Sequence, residues 1–89
     1  MTIEIMALAD HEWAVQVQSE GSDVTYHKVR VEPETKKRLG VRDEGRLVRE
    51  AVRTYLQHGR SAALPHDLTL DWLKNNVPDY LDELTTRLA

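Results

Sequence analysis

The sequence predicts an α+β fold, in which an N-terminal β-hairpin or small antiparallel sheet is followed by three to four short helices. Period-two alternation of apolar and polar residues is confined to residues 2–31, and helix signals run from Pro33 to Leu88. The two zones do not interleave, and strands gathered ahead of helices mark this class. At 89 residues the chain makes one domain, residues 1–89, with a thin core.

Thr2 to Leu8 sets Ile3 and Ile5 against Thr2 and Glu4, as in a strand or an ordered arm. Asp10-His11-Glu12 is a polar break. Trp13, Val15 and Val17 then alternate with Ala14, Gln16 and Gln18, the pattern of a half-buried strand. Glu20-Gly21-Ser22-Asp23 is a turn cluster, and Val24 to Val31 is the returning strand of a hairpin. Thr25, His27, Val29 and Val31 share one of its faces, and Val24, Tyr26, Lys28 and Arg30 share the other.

Pro33 opens a short first helix that Gly40 closes, since proline lacks the N–H that a first turn leaves unpaired. Asp43 caps a second helix with the apolar stripe Leu47, Val48, Ala51, Val52, Tyr55 and Leu56, stopped by Gly59. Ser61 to His66 is a linker. Asp67 or Thr69 caps a third helix with Leu70, Trp72 and Leu73, and Pro78 begins a fourth with Tyr80, Leu81, Leu84 and Leu88 on one face.

The same residues speak against several chemistries. The chain has no cysteine, which removes thiolate metal sites and disulfides and suits a reducing compartment. His11, His27, His58 and His66 are scattered, with none three or four residues from another. Ser19, Ser22 and Ser61 lie in turns or linkers, and no glycine-rich phosphate loop occurs. Neighbouring carboxylates at Asp43/Glu44 and Asp82/Glu83 do not face each other on a helix. The expectation is a protein that is not an enzyme and has no catalytic residue, metal or cofactor. No run approaches the ~18 apolar residues of a membrane helix, and Met1-Thr2-Ile3-Glu4-Ile5 offers no basic leader, so a cytoplasmic location without a membrane partner is expected.

Charge is zoned. Residues 1–26 hold five acids and no Lys or Arg; residues 27–60 hold ten of the twelve basic residues against five acids; residues 61–89 hold two bases against five acids. A basic centre between acidic ends reads as a polyanion-binding patch, or as ends that neutralise the middle within one chain or across a dimer. Its candidate contacts are Tyr26, Lys28 and Arg30 on the strand, and Arg46 and Arg49 in the helix stripe Arg46, Arg49, Arg53 and Arg60.

HKVRVEPETKKRLG followed by RLVREAVRTYL resembles the ribbon-helix-helix pattern over residues 26–57. The resemblance implies a DNA-binding or transcription-regulatory module in which two chains pair strands into a ribbon for the major groove. Tyr26, Lys28 and Arg30 would stand at the ribbon positions, and Leu47, Val48, Ala51, Val52 and Tyr55 in the dimer core. The chain departs from that pattern in a short first helix, in Asp43-Glu44 at the start of the second, and in a preceding strand able to pair with the ribbon strand. More diffusely, TYHKVRV, LVREAVRTYLQHGRSAAL and HDLTLDWLKNNVPDYLDEL resemble a family of small uncharacterised prokaryotic proteins, which implies a hairpin-plus-helices domain and no biochemical role.

Open strand edges and a broad apolar stripe on a thin core lead to the expectation of a homodimer. The alternative to DNA is a protein partner docked on the acidic C-terminal helices around Trp72 and Tyr80.

Overall fold

The computed structural model describes residues 2–18, 20–21, 23–58 and 64–88. Chain order is β1 (Thr2–Ala9), β2 (Glu12–Gln18), β3 (Val24–Val31), α1 (Pro33–Leu39), α2 (Glu44–Gln57), β4 (Asp67–Leu68), α3 (Leu70–Asn76) and α4 (Pro78–Leu88). The fold is α+β, with the long strands first and helices after them.

The four strands form one sheet in the order β1-β2-β3-β4. β1 and β2 pair antiparallel from Thr2↔Gln18 to Ala7↔Trp13, with an irregularity between Ala7 and Ala9. β2 and β3 pair antiparallel from Glu12↔Arg30 to Gln18↔Val24. Of the two readings for Thr2 to Leu8, the strand is the one observed. His11 turns the β1–β2 connection in the left-handed region at φ 64°, where a non-glycine residue is uncommon. Gly21 turns the β2–β3 connection at φ 76°; Ser19 and Ser22 lie outside the described residues.

Alternation decides which face of the sheet is covered. Val15, Val17, Val29 and Val31 are buried, and Ile3, Ile5 and Trp13 are half-buried beside them. Those side chains meet Leu47, Val48, Ala51, Val52 and Tyr55 of α2, together with Leu39, Leu68, Leu73 and Val77. The helices therefore cover one face and leave the other to solvent.

Local signals end the helices largely as expected. Gly40 closes α1 in the left-handed conformation at φ 65°, and the Asp43 carboxylate accepts the Arg46 N–H at 3.0 Å to open α2. α2 ends at Gln57 with His58 as its cap; Gly59, Arg60 and Ser61 lie outside the described residues. Between the two candidate caps of α3 it is Thr69 that accepts the Trp72 N–H, at 3.1 Å. Asp67 belongs instead to β4, a two-residue strand parallel to β3 through Arg30↔Asp67 and Val31↔Leu68. The sequence shows no strand at Asp67–Leu68, because two residues carry no period. Tyr80, Leu81 and Leu84 of α4 pack against the core; the Leu88 side chain lies outside the described residues.

Candidate functional site: an open sheet edge beside a basic helix

The uncovered face of the sheet carries Tyr26, Lys28 and Arg30, as their alternation predicted, and Tyr26 is 74% exposed. Register places Glu4, Glu12 and Asp67 on the same face. Lys28 Nζ lies 3.5 Å from Glu12 Oε2, and Arg30 lies 3.7 Å from Asp67 Oδ1. Two cations thus share this face with three carboxylates, which leaves no positive excess for a polyanion. β2 also pairs along the whole of β3, so that edge of β3 is filled from within the chain.

Arg46 and Arg49 are exposed on α2, on the helical side of the sheet. The five predicted contacts therefore fall into two sets on opposite sides of the sheet. Arg49 and Arg53 line a trough with Thr2, Ile3, Glu4 and Gln57. It adjoins a second depression lined by Ile5, Trp13, Gly45, Arg46, Arg49 and Glu50, with Asp43 at its end. Arg46, Arg49 and Arg53 make no ion pair among the described residues.

The wall of this trough is β1, the outermost strand, whose far edge no described strand pairs with. Hydrogen-bond parity identifies the backbone groups left over. Arg30 and Glu32 donate their N–H groups toward β4, to His66 and Leu68 carbonyls, while Val31 donates to His11 beside β2. Because antiparallel strands alternate, Trp13, Val15 and Val17 bond to β3, and Ala14, Gln16 and Gln18 bond to β1. Ile3, Ile5 and Ala7 are left with N–H and C=O groups pointing outward. The strand carries no Lys, Arg or Pro and no inward-facing charge, the usual devices that blunt an edge. Its outer side shows Met6 at 63% and Leu8 at 50% exposure.

A polar cluster fixes this edge relative to α2. Glu44, at the first position of α2 and 9% exposed, accepts a hydrogen bond from Trp13 Nε1 at 2.7 Å. Its other oxygen lies 2.9 Å from His11 Nδ1 and 3.4 Å from Lys36 Nζ. Burial alone would raise the Glu44 carboxyl. The hydrogen bonds from Trp13, His11 and Lys36, with the His11 charge, outweigh burial and hold it below its ordinary value. In sequence Asp10-His11-Glu12 is a polar break and Asp43-Glu44 the start of a helix; the fold joins His11 to Glu44 in one anchor. With three donors already on it, that carboxylate clamps the β1–β2 turn to α2. No group of three or more His, Cys, Asp or Glu side chains among the described residues could hold a metal ion.

Trp72 is half-buried against Tyr55, with ring centroids 5.2 Å apart, and Tyr80 packs on the core. No described helix is long and apolar enough to cross a membrane. Comparison with protein-family models, curated proteins and solved structures returns no match to this chain.

Proposed function

We propose that this protein is a small non-enzymatic interaction module that docks an extended protein segment on the free edge of β1. One observation carries the reading: an outer strand with no Lys, Arg or Pro and no inward-facing charge, regular from Thr2 to Ala7, that carries the exposed Met6 and Leu8. An incoming strand would satisfy the outward groups of Ile3, Ile5 and Ala7 and pack on alternate side chains, as in β-strand addition. The irregularity between Ala7 and Ala9 limits pairing to the part of the strand before it.

The experiment replaces Ala7 by Pro. Its outward N–H bonds to no strand among the described residues, so proline removes the docking donor and leaves the β1–β2 ladder intact. Displayed random peptides selected on wild-type protein should lose binding to Ala7→Pro, and Ile3 and Ile5 amide exchange should slow when they bind. Retained binding by a folded Ala7→Pro protein contradicts the proposal.

DNA binding is a second reading, favoured by the exposure of Tyr26 beside Lys28 and Arg30 on an uncovered face. It is weaker, because Glu12 and Asp67 neutralise those cations and Asp43 occupies the Arg46 amide at the start of α2. Mobility shifts on duplex DNA that weaken in Lys28→Ala/Arg30→Ala, with a salt slope shallower by about one per lost phosphate contact, would favour it.

A further inference from the structure

We infer that the segment docked on β1 is acidic, and that Asp or Glu alternates in it with aliphatic residues. The inference rests on the proposed reading of β1 as a docking edge and names what that edge selects. A strand added there lies about 4.8 Å beyond β1, and its side chains alternate between the two sides of the sheet. On the helical side they meet the trough below α2, where Arg46, Arg49 and Arg53 are exposed and unpaired among the described residues. Three carboxylates border that trough. Asp43 keeps its charge while accepting the Arg46 N–H, Glu50 stands beside Arg46 and Arg49, and Glu4 reaches the rim from a register position on the opposite face, so two carboxylates stand inside the trough against three guanidinium groups. The excess is positive. On the other side the incoming residues meet Glu4 and the exposed Met6, with the exposed Leu8 beyond the paired stretch, so acid is repelled there and an aliphatic side chain packs on Met6. Acid on one side and aliphatic on the other is the pattern complementary to both.

The same charges decide against a second copy. Pairing β1 with its own symmetry mate sets the arginine stripes of both copies across one trough, six guanidinium groups in all, and like charges brought together suppress the wrong partner. An acidic segment meets no such repulsion.

The test is fluorescence anisotropy with a labelled peptide of about ten residues that alternates Glu and Val, against a control that alternates Lys and Val. Wild-type protein should bind the Glu peptide and not the Lys peptide. Affinity should fall about tenfold between about 0.05 M and 0.5 M salt, and about tenfold in Arg49→Ala/Arg53→Ala. Ala7→Pro should abolish it. Failure of the wild type to bind the Glu peptide at about 1 mM overturns the inference, as does equal binding of the Lys peptide. Undiminished binding by Arg49→Ala/Arg53→Ala overturns the acidic preference and leaves edge docking standing. Undiminished binding by folded Ala7→Pro overturns edge docking itself. A sedimentation mass of two chains that reverts to one in Ala7→Pro assigns the edge to a second copy, against the inference, and displacement by duplex DNA at equal charge assigns the trough to a polyanion.

Discussion

Replacing Gly45 by Ala sets two effects of similar size against each other. Gly45 lies in the first turn of α2 and is buried, with a helical backbone that alanine adopts readily. Alanine in a helix interior is worth about 1 kcal/mol over glycine, and in a first turn about half of that. Against this stands the space available. A Cβ on Gly45 would come to 2.9 Å from Cη2 and 3.1 Å from Cζ3 of Trp13, and to 3.2 Å from Cδ1 of Ile5. The indole is not free to retreat, because its Nε1 is held at 2.7 Å by Glu44. Overpacking of this kind costs about 1–3 kcal/mol, so Gly45→Ala should destabilise by about 1–2 kcal/mol. For a domain this size that lowers Tm by about 5–10 °C. Phenylalanine at position 13 lacks the distal ring that collides, so in a Trp13→Phe background the same change should stabilise by about 0.5 kcal/mol. Urea unfolding of the four proteins, followed by far-UV circular dichroism, measures the coupling directly. A Gly45→Ala protein more stable than wild type, or an equal effect in both backgrounds, would refute the close approach as the deciding contact.

Three further outcomes are expected. Because the Glu44 carboxyl is held below its ordinary value, its contribution to stability is present above the unfolded-state pKa and disappears as pH falls through the lower folded-state value; Glu44→Gln should flatten this acid limb of a urea-midpoint titration. Thr35 is buried, donates to Glu32 at 2.9 Å and accepts from the Leu70 N–H at 3.1 Å, so Thr35→Val should cost about 1–3 kcal/mol and speed amide exchange at Leu70. Leu68 is fully buried in β4, and Leu68→Ala should cost about 2–5 kcal/mol by thermal or urea unfolding.

Local chemistry made much of the fold legible. Alternation from Trp13 to Gln18 and from Val24 to Val31 is a two-residue period that survives folding unchanged, and Pro33, Gly40 and Asp43 act on the turn they occupy. Signals that depend on distant partners did not reach the sequence. Glu44 joins Trp13 and His11 across 31 and 33 positions, and nothing in the flanking residues marks that meeting. β4 exists because Val31 offers a parallel partner, and two residues have no pattern of their own. The candidate site was legible to the same depth. Alternation placed Tyr26, Lys28 and Arg30 on one strand face, and helical spacing placed Arg46 and Arg49 on one stripe. Which sheet surface that stripe overlooks is set by how α2 lies on β1, and that required the folded chain.

The Glu44 anchor and the free edge of β1 belong to one arrangement. An outer strand held only by its neighbour frays readily, and a docking edge that frays makes its ligand bear the cost of ordering it. Here the turn that ends β1 is pinned to α2 through His11 and Glu44, and Trp13 lies against Gly45, where any side chain would push the strand away from the helix. The distance between the outward amides of β1 and the arginine stripe of α2 is thereby set by contacts remote from both. A substitution at Glu44 or Gly45 should then weaken peptide binding without touching the peptide, and more than an equal loss of stability introduced at Leu68 in β4, at the opposite edge of the sheet. Equal weakening by variants matched in stability would show instead that the edge responds only to global unfolding.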